Sequence, residues 1–136
     1  MIRAALALLA FDANAAEMVF TATLDGAQNV PEPIKTPATG KVEMRVSPDG
    51  KSVAYKVTVD KLANVSAADL HLGPSTQNGP LVVKLWAQGG DARKGDFSGV
   101  LVEGKFDAGD LIGPMAGSSF ADLVDELKSG NVYVNV

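Results

Sequence analysis

The run KVEMRVSPDGKSVAYKVTV, residues 41–59, constrains the fold more than any other part of the sequence. Its apolar residues Val42, Met44 and Val46 alternate with charged residues, which is the period of a half-buried β-strand. Proline and glycine in Pro48–Gly50 favour a tight turn, because they fix or release the backbone angle φ. After the turn the alternation returns, with an apolar face of Val53, Tyr55, Val57 and Val59. The run therefore predicts an antiparallel hairpin with one buried face.

Shorter β-strands, each bounded by turn residues, are predicted on both sides of this hairpin. The candidates are MVFTATL (18–24), DLHL (69–72), PLVVKLW (80–86), DFSGVLVEG (96–104) and NVYVNV (131–136). The prolines within 31–37 lack backbone donors and predict a loop or a sheet edge. Many short strands with frequent turn signals are typical of an antiparallel β-sandwich or barrel.

One helix is predicted between the last two strand candidates. Ser119 is a good N-cap, and Asp122 follows it at capping-box spacing. Gly130 suits the position just after the helix. The apolar face would consist of Leu123, Val124 and Leu127.

The N-terminal segment has the pattern of an export signal. Arg3 is followed by an apolar run over residues 4–11 and by the small-residue cleavage pattern Ala13-Asn14-Ala15. We therefore predict a signal peptide over residues 1–16 and one domain over residues 17–136, in a secreted, extracellular or periplasmic protein. The alternative is that the segment is a short strand or helix of the fold. The apolar run is too short to span a bilayer.

Composition excludes several classes of function. The net charge is −4, and the sequence contains no basic stripe that would attract nucleic acid. Cysteine is absent, so no disulfide, thiol nucleophile or cysteine-bound metal is expected. No nucleophile-elbow, P-loop, Rossmann or HExxH motif is present. We predict no enzyme activity, no cofactor and no transmembrane span.

The single histidine, His71, is the most informative polar residue. Asp69 and His71 lie two residues apart, so on a strand both side chains point to one face. They could supply two metal ligands, with help from the region of Asn135, although zinc sites take at least three protein ligands. The loop GPSTQNGP follows directly, and binding residues often lie on such loops. The candidate binding residues are Asp69, His71, Gly73, Gln77, Asn78 and Asn135.

Most of the chain resembles the CHRD domain family, first named in chordin and found in many exported bacterial and archaeal proteins. The resemblance rests on FTATLDGAQNVPEP, TPATGKVEMRVSPDGKSVAYKVTVDKLANVSAADLHLG, NGPLVVKLW and FADLVDELKSGNVYVNV. It implies an antiparallel Greek-key β-sandwich of immunoglobulin-like or superoxide-dismutase-like character. Family members commonly read A-H-I-H-x-G at 68–73, so Asp69 replaces the first histidine of that motif and His71 matches the second. They also continue past YVNV with HT and GEIRG, which this sequence does not contain.

These observations predict a secreted or cell-surface module with a non-enzymatic binding or structural role. Its partner would be an extracellular protein or a surface ligand. Two alternatives remain open. One is a metal-binding domain that uses Asp69 and His71. The other is a strand-exchanging subunit of an extracellular assembly, which self-associates through an open edge at Val136 and uses the N-terminal apolar segment as a donor strand.

Overall fold

Nine β-strands and one α-helix lie in the residues that the structure, a computed structural model, describes: 2–12, 17–65, 67–74, 76–87 and 93–136. The strands are β1 (Arg3–Ala5), β2 (Ala7–Asp12), β3 (Glu17–Asp25), β4 (Thr39–Val46), β5 (Ser52–Val65), β6 (Ala67–Leu72), β7 (Leu81–Ala87), β8 (Arg93–Asp107) and β9 (Val132–Asn135). Two 3-10 turns, Ala108–Asp110 and Gly113–Met115, lead to the helix α1 (Phe120–Lys128).

The strands pair antiparallel into one nearly closed sheet in the order β7-β6-β9-β1-β3-β4-β5-β8, with β2 paired to β3 beside this path. The hydroxyl of Tyr55 on β5 donates to the carbonyl oxygen of Leu85 on β7 at 2.8 Å, which ties two distant strands of the order together. The prediction of antiparallel β-structure with one short helix near the C-terminus is confirmed. The Greek-key sandwich is not confirmed, because β1 pairs on both sides and makes the sheet continuous.

The hairpin of β4 and β5 has the predicted faces. Val42 lies opposite Val57, Val46 lies opposite Val53, and all four side chains are fully buried. The turn closes where the amide of Ser47 donates to the carbonyl of Ser52 at 2.9 Å. Local alternation and turn chemistry thus suffice to set this register.

Helix α1 also begins and ends as predicted. The Ser119 hydroxyl accepts from the backbone N–H of Asp122 at 3.3 Å, and Gly130 follows the C-cap with a φ of +76°. Its buried residues are Phe120, Leu123, Val124 and Leu127. In the part of the chain that the structure describes, no helix is long and apolar enough to cross a membrane.

The N-terminal segment is part of the sheet and of the core. Ile2, Ala4 and Leu6 are 0%, 3% and 1% exposed. Residues 3–12 therefore adopt the strand alternative of the sequence analysis, whereas the signal-peptide assignment of residues 1–16 stays a prediction. The cleavage pattern, residues 13–16, lies outside the described residues.

The prediction of an open edge at Val136 is wrong, because the N-terminal segment pairs there. Ile2 and Val136 exchange two backbone hydrogen bonds of 2.9 and 3.0 Å. Strand β9 has β6 on its other side, so it lies in the interior of the sheet. With residues 2–6 paired in this way, β9 presents no free strand edge for self-association.

Strand β1 joins the two halves of the sheet. Arg3 lies opposite Asn135 of β9 on one side and opposite Asp25 of β3 on the other. No other strand in the described sheet lies between β9 and β3. Without residues 2–12, the sheet would therefore divide into β7-β6-β9 and β3-β4-β5-β8.

Two leucines of the N-terminal segment provide a direct test of this position. Leu6 is 1% exposed and Leu8 is 48% exposed. We expect Leu6→Ala to lower the free energy of unfolding by about 2–5 kcal/mol, because it leaves a cavity in the core. Leu8→Ala, the matched control, should change it by less than about 0.5 kcal/mol. Urea denaturation of both variants measures the difference, and equal small effects would show that the segment does not pack as described.

Candidate functional site

The predicted binding residues lie on one face of β6 and β9 and on the loop that follows β6. Asp69 lies opposite Asn135, and His71 lies opposite Tyr133. The 73–80 loop carries Gly73, Gln77 and Asn78, with residue 75 outside the described residues. The amide of Gly73 donates to the carbonyl of Asn131 at 2.8 Å and anchors the start of the loop beside β9. The structure thus brings the six candidates into one neighbourhood.

Gly79 is where the 73–80 loop is fixed at its far end. Its carbonyl oxygen lies 2.9 Å from Nδ1 of His71, and its N–H donates to the hydroxyl of Tyr133 at 2.8 Å. A carbonyl can only accept, so Nδ1 of His71 carries the hydrogen, and Nε2 holds the lone pair in the neutral ring. Glycine is required at 79, since a Cβ there would overlap the carbonyl oxygen of Leu72.

Tyr133 is also the centre of a three-layer stack. Its ring lies parallel to that of His71, with 5.0 Å between centroids and 6° between planes. The guanidinium carbon of Arg3 lies 3.7 Å from the Tyr133 centroid. Strand β9 lies between β6 and β1, so His71 and Arg3 approach Tyr133 from opposite neighbouring strands. The arrangement adds a cation–π contact to an aromatic stack.

Arg3 binds the 73–80 loop as well. Its Nη1 donates to the side-chain oxygen of Asn78 at 2.7 Å, and its Nη2 donates to the carbonyl oxygen of Gln77. Arg3 is only 2% exposed, so these bonds and the Tyr133 ring offset part of the cost of burying its charge. Within the described part of the chain, the buried atoms Arg3 Nε and Asn135 Oδ1 make no hydrogen bond.

Sequence reasoning missed two residues of this site. It assigned Arg3 to the start of an export signal, and it did not include Tyr133 among the candidate binding residues. Tyr133 could have been found, because it alternates with Asn135 on a strand and therefore shares its face. Arg3 could not have been found, since its pairing with the last strand is a contact between the two ends of the chain.

A second loop, residues 26–34, lies beside the first. It is closed by the amide of Ile34, which donates to the carbonyl of Gly26 at 2.8 Å. The side-chain amide of Asn78 donates to the carbonyl of Val30 at 3.4 Å and so connects the two loops. Between them lies an open groove of about 290 Å³, the two-loop groove. Its lining residues are Ala27, Gln28, Asn29, Val30, Pro31, Pro33 and Thr76.

The pKa of the Asp69 carboxyl group differs from its ordinary value. Partial burial raises its pKa above the ordinary value of 3.8, and the nearby His71 and Lys84 oppose that rise. Lys84 lies directly opposite Asp69 on β7. The carboxylate is therefore held next to two basic side chains without full solvation.

The site offers little to a metal ion. Among the residues that the structure describes, no group of three or more His, Asp, Glu or Cys side chains could hold one. Nδ1 of His71 is already directed at Gly79. In the described chain the Asp69–His71 pair thus has no third His, Asp, Glu or Cys side chain beside it, and a zinc site normally takes at least three protein ligands.

Removal of the Tyr133 hydroxyl should loosen the loop. We expect Tyr133→Phe to keep the ring stack, leave the Gly79 N–H without its acceptor, and cost about 1–3 kcal/mol of stability. Amide hydrogen exchange at Gly79 should become faster. Tyr55→Phe is the matched control, because it also removes a hydroxyl bonded to backbone, and it should leave Gly79 exchange unchanged. Unchanged exchange in Tyr133→Phe would contradict the assignment.

The raised pKa of Asp69 predicts a pH dependence of stability. The folded chain holds this proton to higher pH than the unfolded chain, so folding takes up a proton in the window above pH 3.8. The contribution of Asp69 to stability therefore falls as pH rises through that window. Asp69→Asn should gain stability relative to the wild type over the same window and then level off.

Denaturation at several pH values measures this difference. The pKa of Asp49 is lowered by hydrogen bonds from Ser47 and the Lys51 backbone, so Asp49→Asn is a control of opposite sign. It should lose stability relative to the wild type as pH rises. Parallel curves for the wild type and Asp69→Asn would refute the assignment to Asp69.

Comparison with known proteins identifies the chain at the level of its family. The family model of the CHRD domain matches residues 20–136, which is nearly the whole chain. No curated protein or solved structure matches it. The matched residues include β6, the 73–80 loop and β9, and they exclude β1 and β2. The chain therefore belongs to the CHRD domain family.

Proposed function

We propose that this chain is a non-enzymatic binding module that works outside the cytoplasm and contacts its partner through the two-loop groove. Membership of the CHRD family supports an extracellular binding or structural module as the general class. The groove and the nearby polar side chains, which are directed at loop backbone, support a module that binds through the two-loop groove. The N-terminal export pattern supports its work outside the cytoplasm.

One observation carries the proposal: the polar side chains of the site are used to hold loops in place. His71 and Tyr133 bind both backbone polar groups of Gly79, and both residues belong to the part of the chain that cleavage after Ala16 would leave. A catalytic site needs a nucleophile or base that is directed at a substrate position. A binding site needs preorganised loops, because ordering them in advance lowers the entropy cost of association. The observed arrangement fits the second requirement.

The groove has the chemistry of a recognition surface. Two prolines, an alanine and a valine provide apolar contact, while Gln28 and Thr76 add polar groups at the same groove. Proline restricts the 26–34 loop further, since its ring fixes φ. A few apolar contacts with a polar rim are typical of protein interfaces.

The export pattern of residues 1–16 supports work outside the cytoplasm. Mass measurement of the native protein tests processing directly. A mass that corresponds to residues 17–136 would establish cleavage after Ala16, and a mass that includes residues 1–16 would contradict it.

A bulky charged side chain placed in the two-loop groove tests whether the groove is the binding surface. We expect Thr76→Arg to weaken binding of the labelled chain to the cell exterior of its source by at least about tenfold, or about 1.4 kcal/mol. Thr39→Arg is the matched control, because Thr39 is an exposed threonine that lines a separate surface depression on β4. Equal binding of Thr76→Arg and Thr39→Arg would exclude the groove as the contact surface.

A further inference from the structure

We propose that the Asn78-Gly79 pair is a site of spontaneous covalent modification, at which Asn78 loses ammonia and becomes aspartate or isoaspartate. The change would separate the 73–80 loop from the 26–34 loop, because a hydrogen bond from Asn78 connects them. Asn78 is exposed on the 73–80 loop, so water reaches its carboxamide group. The pair thus limits how long the two-loop groove keeps its shape.

The chemistry of the modification needs only this pair of residues and water. The backbone nitrogen of Gly79 loses its hydrogen and bonds to Cγ of Asn78. The bond from Cγ to Nδ2 breaks, and ammonia leaves with that hydrogen, so a cyclic succinimide remains. Water then opens the ring at either carbonyl. One opening gives aspartate, and the other gives isoaspartate, which has one more carbon in the backbone.

The residue that follows Asn78 makes it the reactive asparagine of this chain. A side chain on the following residue hinders the attack, and glycine has none. The other asparagines precede valine or alanine: Asn14, Asn29, Asn64, Asn131 and Asn135. Gly79 cannot be exchanged for a bulkier residue, since a Cβ there would overlap the carbonyl oxygen of Leu72. Packing of the loop therefore imposes the neighbour that makes Asn78 reactive.

A hydrogen bond in the folded chain restrains the attacking nitrogen. The N–H of Gly79 donates to the Tyr133 hydroxyl at 2.8 Å, and the Gly79 carbonyl accepts from Nδ1 of His71 at 2.9 Å. These two bonds hold the backbone of Gly79 in place against β6 and β9. The nitrogen can lose its hydrogen and turn toward Cγ of Asn78 only when the bond to Tyr133 opens. The frequency of this opening therefore sets the rate, and the modification is slow in the folded chain.

The modification removes one contact of residue 78 and keeps another. The Asn78 side chain donates from Nδ2 to the carbonyl of Val30 at 3.4 Å. A carboxylate has no hydrogen to donate, so it would repel that carbonyl. Its oxygens could still accept from Arg3, as Oδ1 of Asn78 does in the structure. The loss therefore falls on the link between the two loops, at a groove that Val30 and Thr76 line.

Ageing of the full chain in mildly alkaline buffer tests the chemistry. Peptide mass spectrometry measures the exchange of the amide group for a hydroxyl at each asparagine. We expect conversion first at Asn78, with Asn64, an exposed asparagine followed by valine, as the control in the same sample. Tyr133→Phe should speed the conversion at least about fivefold, because the N–H of Gly79 loses its acceptor. Tyr55→Phe should leave the rate unchanged.

The wild-type chain unfolded in urea gives the upper limit of the rate and needs no variant. The folded chain should convert at least about tenfold more slowly, since native contacts keep the loop closed most of the time. Three results would each overturn the proposal. They are equal rates in the folded and unfolded chain, equal rates in the wild type and Tyr133→Phe, and conversion of Asn78 no faster than that of Asn64.

Asn78→Asp reproduces one product and tests its structural effect. Amide hydrogen exchange at Ile34, whose N–H closes the 26–34 loop, should become about two- to tenfold faster. Asn64→Asp is the matched control, because it makes the same charge change where the side-chain oxygen accepts from Gly95, as a carboxylate also does. Unchanged exchange at Ile34 in Asn78→Asp would refute the release of the loop. Neither experiment needs a binding partner, so their failure leaves the groove proposal standing.

Discussion

The pairing of β1 with β9 and β3 is the interaction on which the rest of the structure depends. One edge of β1 pairs with β9 and the other pairs with β3, so β1 joins the two halves of the sheet. Its alternate residues pack into the core. A strand in this position is buried on both faces. Its contribution to the stability of the fold is therefore larger than its length of three residues suggests. Loss of this strand would open two sheet edges and the core together, and edges of that kind recruit other chains.

Arg3 makes this central strand unusual, because a buried cation is costly wherever it lies. Its burial is tolerated since two acceptors of the 73–80 loop and the electron-rich face of Tyr133 surround the guanidinium. The unpaired Nε and the unpaired oxygen of Asn135 show that compensation is incomplete. An apolar residue at this position would avoid the cost but would leave the loop without its anchor. The arginine thus contributes positional specificity more than stability, as buried ionic groups do in some other proteins.

Sequence reasoning succeeded where the controlling contacts are local. The hairpin of β4 and β5 and the cap of α1 are set by residues a few positions apart, and both were predicted with the correct faces. The N-terminal segment was ambiguous, because a short apolar run fits an export signal and a buried strand equally well. Its pairing with β9 joins opposite ends of the chain, which no local pattern reveals.

Strand β1 and the two-loop groove are physically connected through Arg3. It binds Asn78, which in turn reaches Val30 of the 26–34 loop. The pairing of β1 with β9 therefore also helps to fix the two loops that form the groove. Coupling between two sites is reciprocal in free energy, so a partner that prefers the fixed loops must also stabilise the pairing of β1. A single buried side chain thus connects the order of the surface loops to the completion of the sheet.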